Sequence, residues 1–299
     1  ALARASGDYV LWLDADDRLE HSQQPKLRNV SRSLDRDRPT AFVFDCACDP
    51  DIGAGSTADF TVVQHVRLFP RLPGAAWEYR VHEQVLPSLR RLNVPVVWTD
   101  VTIRHTGYSD PATRARKLER DWRLLSMELA TSPDEPFVLF NAGCVAIERR
   151  DWPTALDYLQ RGLARSESTD SITRKLHALI AKARQELGDL EESIASCDAG
   201  LRITPDDAEL LFRRGVARRK AGDSAGAESD WRRILELGVP TGQFRSVDMG
   251  IHGHLTRRNL ASLYESTGDA ERAAEQWRAV LAELPGDEVG RQRLAREGD

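Results

Sequence analysis

What this sequence of 299 residues lacks narrows it first. No stretch approaches the roughly 18–20 consecutive apolar residues of a membrane-spanning helix, and no secretory leader is visible. No polybasic run occurs, and the net charge is −5, so the electrostatic footprint expected of a nucleic-acid binder is missing. Cysteine is scarce: Cys46, Cys48, Cys144 and Cys197 make up the whole complement. Cys46-Ala-Cys48 lies in an apolar run, and no second pair or neighbouring Cys/His cluster completes a zinc site. Reduced thiols and a cytoplasmic location are the expectation. There is no Gly-rich loop ending in Lys, which argues against phosphoryl transfer of the P-loop kind. There is also no initiating Met. Ala1 to Ser6 reads as the last turns of a helix feeding a strand, so other strands are expected to precede it in a longer protein.

What is present is enough apolar residue for a sizeable core, 41% hydrophobic against 30% charged. The first half is organised around Tyr9-Val-Leu-Trp-Leu-Asp-Ala-Asp-Asp17. The unbroken run Tyr9–Leu13 suits a strand buried on both faces, as in a parallel sheet. Ligands gather beyond the carboxyl ends of such strands. Asp14 and Asp16 there suit a hard divalent cation, which takes oxygen ligands. On spacing alone the same carboxylates equally suit an acidic helix start.

Further along, a polar helix is expected near Pro25–Leu34, and strands at Thr40–Cys46, Phe60–Phe69 and Val94–Ile103. Loops are expected over Asp49–Asp59 and Pro70–Gly74. From Pro111 the periodicity turns helical and stays so, which places a domain boundary near Gly107 to Pro111.

The helical half repeats. Ala155, Ser193, Ala227 and Ala273 occupy one phase, separated by 38, 34 and 46 positions. Twelve residues before each stands a small residue, Gly143, Ala181, Gly215 or Ala261, and four after it a larger one, Leu159, Cys197, Trp231 or Trp277. Small residues let paired helices approach, and the larger ones fill the gap. The pattern resembles the tetratricopeptide repeat, with its period of about 34 residues. It covers Phe137 to Pro285, with an insertion at Gly238–Gly253 expected to loop over the array. The Arg and Glu runs read as solvated helix faces, and a peptide-binding groove is open to the array.

The first half carries a second resemblance. Gly7 through Asp17, then Arg67-Leu-Phe, then Trp77 through Glu83, then Ile103-Arg-His105-Thr-Gly-Tyr108, resembles family 2 glycosyltransferases, and more narrowly bacterial members with tetratricopeptide repeats after the catalytic domain. The resemblance implies a partial A-type glycosyltransferase domain, an α/β fold with a mixed sheet, over 1–110. A linker helix would follow at 111–135 and an all-α tetratricopeptide solenoid over 136–299. It implies an Asp-X-Asp motif at Asp14-Ala-Asp16, with Asp16 and His105 binding Mg²⁺ or Mn²⁺ and Glu83 as general base. Asp14, Asp17, Trp77, Tyr79 and His82 would contact the nucleotide diphosphate sugar or the acceptor, and Arg67 would face the diphosphate or simply brace its strand.

That implied activity, an inverting, metal-dependent sugar transfer, has a coherent chemistry. A divalent ion stabilises charge developing on the departing diphosphate. A separate base takes the proton of the attacking hydroxyl. One departure stands against it: the β-α units that bind base and ribose in that family have no counterpart before Asp14, so the fragment is expected to be partial or inactive. The alternative is an interaction protein, in which the repeats bind a protein or peptide partner and the first half is a degenerate remnant.

Overall fold

A computed structural model describes residues 2–49, 61–106, 111–238 and 246–295. The loop read at 49–59 lies outside these residues except for Asp49, and the boundary read at 107–111 except for Pro111. The chain divides into two units, Ala1–Glu128 with Gly242–Asp248, and Leu129–Thr241 with Met249–Asp299.

The first unit is built on a mixed six-stranded sheet. Its strands are β1 (Tyr9–Leu11), β2 (Asp17–Arg18), β3 (Ala41–Cys48), β4 (Thr61–Pro70), β5 (Val96–His105) and β6 (Ser246–Asp248). They run in the order β1-β4-β3-β5-β2, with β6 also on β4. Only the β3–β5 pair is parallel. β1 and β6 share one edge of β4, meeting Leu68–Pro70 and Thr61–Val63 respectively. The apolar residues of β3 alternate between two cores, as the two-residue period of a strand requires. A register shift at Phe42/Val43 resets the phase in β4 between Val66 and Leu68. Ala41, Val43, Val66 and Phe69 pack on one side with Val85, Leu89 and Val94, from and around helix α2 (Leu86–Arg91). Phe42, Phe44, Leu68, Val101 and Ile103 face the other side, against Leu27 and Val30 of helix α1 (Gln24–Arg32). Helix α3 (Pro111–Thr131) follows β5.

Two expectations need correcting. Tyr9–Leu13 is not a parallel strand buried on both faces. β1 lies at the sheet edge, antiparallel to β4, and Leu11 and Leu13 are exposed. Its register is fixed by partners about sixty residues away, which no local pattern encodes. The described part of the insertion, from Ser246 to Gly253, is not a plain loop: Ser246–Asp248 is a sheet strand, and Ile251 is buried in the core of the second unit.

The second unit is a row of helix pairs: α4 (Pro136–Glu148) with α5 (Trp152–Ala164), α6 (Thr173–Leu187) with α7 (Leu190–Ile203), α8 (Ala208–Lys220) with α9 (Ser224–Leu237), and α10 (His254–Thr267) with α11 (Ala270–Glu283). Helix α12 (Glu288–Ala295) closes the row. Small and large residues meet as their spacing implies. A Cβ on Gly143 would stand 2.6 Å from Leu159, and one on Gly215 2.5 Å from the Trp231 ring. Both large side chains are fully buried.

The turn inside each pair is also repeated. Gly188, Gly222 and Gly268 take φ of 89°, 90° and 79°, and an aspartate follows each. Asp223 and Asp269 then cap the next helix, accepting from the Gly226 and Arg272 amides. Asp151 does the same for Thr154, but the left-handed residue before it is Arg150, at φ 58°.

Candidate functional site

In the first unit, strand pairing decides which carboxylate turns inward. β2 pairs with β5 so that Asp17 lies opposite His105. The Asp17 side chain is completely buried and both its oxygens are used. Oδ1 lies 2.9 Å from His105 Nδ1, while Oδ2 accepts from Arg67 Nη1 at 2.9 Å and from the Asp14 amide at 2.8 Å. Arg67, 3% exposed, also reaches Asp14 Oδ2 at 3.4 Å and donates from Nε to Cys46 Sγ at 3.2 Å. Its guanidinium carbon lies 3.7 Å from the centroid of the Trp12 ring. Trp12 is pinned in turn by donating from Nε1 to the Val66 carbonyl, and it meets Trp77 edge-on with centroids 5.1 Å apart. Burial outweighs the Arg67 charge at Cys46 and pushes its thiol up to about 11. His65 is pushed down to about 4, by burial first and by Arg67 second.

The sequence-predicted residues divide accordingly. Asp14, Asp17, Arg67 and His105 converge, with Asp16 Oδ1 3.6 Å from His105 Nδ1 at the margin. Arg67 is a buried brace under Trp12. Trp77 belongs to the core beside α2, packed on Phe69 and Trp12. Tyr79 and His82 sit in a tight loop closed by the Glu78–Gln84 bridge, both with positive φ (68° and 56°), and Glu83 is exposed beside them. Among the described residues, the His/Cys/Asp/Glu group able to hold a metal is Asp14, Asp17 and His105, whose ligand atoms lie within 4.8 Å of one another. Asp16, the expected ligand, is not in it.

In the second unit, α4 touches α6 and α6 touches α8, so the first helices of the pairs share a face. Counting from the repeated small residue, Phe137, Lys175, Glu209 and Leu255 are equivalent, as are Asn141, Leu179, Arg213 and Asn259, and Cys144, Lys182, Val216 and Ser262. Glu209 is buried at 4% exposure and accepts from Lys175 Nζ at 2.6 Å and from Arg213 Nη2 at 2.7 Å. Burial raises the Glu209 carboxyl, but Lys175 and Arg213 outweigh it and hold the group well below the usual range. Lys182 is pushed down by burial and then by Arg213, and among the described residues it has neither an ion pair nor a hydrogen bond.

Arg214 and Arg218 converge in the same way on Asp230, which is 3% exposed. The Arg and Glu runs are therefore not all solvated faces. Sequence reading passed over Glu209 and Asp230 although the signal was present: Glu209 and Arg213 stand four apart on one helix, the spacing at which side chains meet.

Comparison with known proteins finds similarity to repeat-containing proteins. No family model matches. A TPR repeat-containing protein of Synechococcus elongatus is 27% identical over 218 residues, 71% of this chain and 52% of that protein. The peptidyl-prolyl cis-trans isomerase FKBP4 of Mus musculus is 30% identical over 121 residues, 37% of this chain and 26% of the isomerase. This chain thus spans about half, or less, of the length of these relatives. Among solved structures, the Cut9-Hcn1 hetero-tetramer of the APC/C aligns with a TM-score of 0.50 at 15% identity, over 60% of this chain and 33% of that one, a likeness of fold.

These findings overturn the main functional expectation. The sequence similarity is to a TPR repeat-containing protein, and the reading as a family 2 glycosyltransferase acting on a nucleotide diphosphate sugar is withdrawn. With it go the roles of Glu83 as base and of Trp77, Tyr79 and His82 as a sugar pocket. The geometry agrees at one point: Arg67, which would have faced a diphosphate, is enclosed by Asp17, Cys46 and Trp12. Among the described residues no helix is long and apolar enough to cross a membrane.

Proposed function

The helical half being a tetratricopeptide-type repeat array, we propose that this chain works as a protein-interaction module that holds a polypeptide segment of a partner on the face formed by α4, α6, α8 and α10. The observation that carries this reading is the shared phase of that face. Helices α4, α6 and α8 lie side by side and α10 repeats their phase. The residues at the equivalent positions of the first three are half-buried Phe137, Lys175, Lys182 and Arg213 around buried Asn141, Leu179 and Glu209 rather than a solvated layer. Stacked repeats build extended concave surfaces of this kind for binding. The kinship with repeat-containing relatives supports the same reading.

A photo-crosslinking amino acid at Phe137, on a first helix, is expected to capture a partner in extracts of the source cells. The same residue at Glu236, on the exposed side of a second helix, is expected to capture none. Equal yields at both positions would refute the assignment of the face.

A second reading concerns the first unit alone: its Asp14 and His105, with Asp17 beside them, take a divalent cation, Mg²⁺ or Mn²⁺. Supporting it, Asp17 holds His105 by Nδ1, the arrangement that fixes a ligating imidazole and leaves Nε2 for an ion. The Asp14 carboxylate adds the hard oxygen donor such an ion prefers. Arg67 offsets part of the negative charge, so binding is expected to be weak, with Kd of about 10⁻⁴–10⁻³ M. Titration with Mn²⁺ followed by electron paramagnetic resonance tests this. Binding that is the same in Asp14→Asn and in the parent protein would exclude the site.

A further inference from the structure

The sheet of the first unit is open along β1. That strand ends the row, and its bonds to β4 come from every second residue: the Arg71 amide donates to the Asp8 carbonyl, and the Trp12 amide to the Arg67 carbonyl. By the alternation of an antiparallel ladder, the amides and carbonyls of Tyr9 and Leu11 point away from β4. Among the described residues no other strand pairs with them. Proteins blunt such an edge with charges or a proline, and neither interrupts Tyr9–Leu13. Leu11 and Leu13 are instead 41% and 50% exposed. Beside this edge, between β1 and α1, runs a groove of about 420 Å³. Tyr9, Leu11 and Leu68 line it from the sheet, and Leu27, Arg28 and Leu34 from α1 and the turn after it. Arg28 is the single charged residue of that lining, exposed and without an ion pair among the described residues. Carboxylates close to α1 are engaged elsewhere: Asp100 with Lys26, Asp8 with Arg36, and Glu20 beside Arg104.

An unpaired strand edge beside a side-chain groove is the arrangement by which a sheet accepts an added strand. Main-chain bonds hold the newcomer, and its alternate side chains enter the groove. Independently of the repeat face, we infer that β1 binds an extended segment of a partner protein in which an apolar residue and an Asp or Glu stand two positions apart. The two-residue period of a strand turns both toward α1, the apolar side chain into the groove and the carboxylate to Arg28. A basic residue in the second place meets Arg28 with like charge. A small apolar molecule would fill the groove but leave the outward backbone groups of Tyr9 and Leu11 unbonded, and this favours a strand.

The experiment is selection of a phage-displayed random peptide library on the full chain, with counter-selection on Leu11→Pro, which deletes one outward amide and leaves the bonds to β4. Peptides held by the repeat face bind both proteins and are removed, so a failure here leaves the function proposed above untouched. The survivors are expected to carry the apolar and acidic residues two apart. A fluorescein-labelled survivor, followed by anisotropy, is expected to bind Leu11→Pro and Arg28→Glu about tenfold or more weakly than the parent. A further arm uses the parent protein alone. Methylating one alternate set of the peptide's main-chain amides is expected to abolish binding, and methylating the other set to leave it. Equal effects of the two sets would overturn strand addition, as would a library from which nothing survives counter-selection. Survivors that bind Arg28→Glu as tightly as the parent would overturn the acidic preference.

Discussion

Arg67 and Asp17 form an ion pair that neither shares with solvent: 2.9 Å apart, with side chains 3% and 0% exposed. Each oxygen of Asp17 and two nitrogens of Arg67 are engaged, which is what lets two charges lie inside a sheet. Removing one partner strands the other. Asp17→Asn is expected to cost about 3–5 kcal/mol in urea denaturation. Asp16→Asn, one residue earlier but part-exposed, is expected to stay within about 0.5 kcal/mol of the parent. Equal effects of the two changes would show that the pair does not organise this region.

His65 makes stability depend on pH. In the unfolded chain its imidazole gains a proton below about pH 6.5. In the fold, burial and then Arg67 push it down to about 4. Between those values the unfolded state binds the extra proton, so the contribution is complete above pH 6.5 and is lost as pH falls toward 4. The loss is at most about 3 kcal/mol. His65→Gln is expected to flatten that part of the stability–pH curve, and parallel curves for variant and parent would contradict the assignment.

Arg150 occupies the left-handed position that Gly188, Gly222 and Gly268 fill in the other helix pairs. A side chain there costs about 1 kcal/mol or more, which glycine avoids. Arg150→Gly is expected to raise the thermal midpoint, and Gly222→Ala to lower it by a comparable free energy. Calorimetry on the two variants checks both signs.

The contact between Gly215 and Trp231 leaves no room for a methyl group, since the added carbon would stand 2.5 Å from the indole nitrogen. Gly215→Ala is expected to destabilise by about 1–3 kcal/mol through overpacking. Adding Trp231→Cys to it recreates the Ala181/Cys197 combination of the second pair, so the double variant is expected to lose less than the sum of the two single changes. Strict additivity in denaturant unfolding would argue that the two side chains do not compete for space.

Legibility in the sequence followed the range of the interactions. Gly143/Leu159 and Gly215/Trp231 are sixteen residues apart, within one helix pair, so the repeat announced itself in a single sequence. β3, β4 and β5 were visible for the same reason: each is a local apolar run. β1 was misplaced because its neighbour is β4, about sixty residues on, and an edge strand of three residues looks like a central one until its partner is known. Among the aspartates, spacing drew attention to Asp14 and Asp16. Asp17 turned out to be the buried hub because β2 pairs with β5, a register set opposite His105. The positive φ at Tyr79 and His82 had no sequence signal, since neither is a glycine. The resemblance to a sugar-transferring enzyme rested on short blocks whose side chains largely brace one another.

The position of β6 in the chain has a consequence for biosynthesis. Synthesis runs from the amino end, so Ser246–Asp248, which pairs with Thr61–Val63, leaves the ribosome only after three complete helix pairs have been made. Until then that stretch of β4 carries open hydrogen-bonding groups along one border, an invitation to foreign strands. A nascent chain that stalls before the fourth helix pair therefore exposes a sticky margin, which the finished molecule covers.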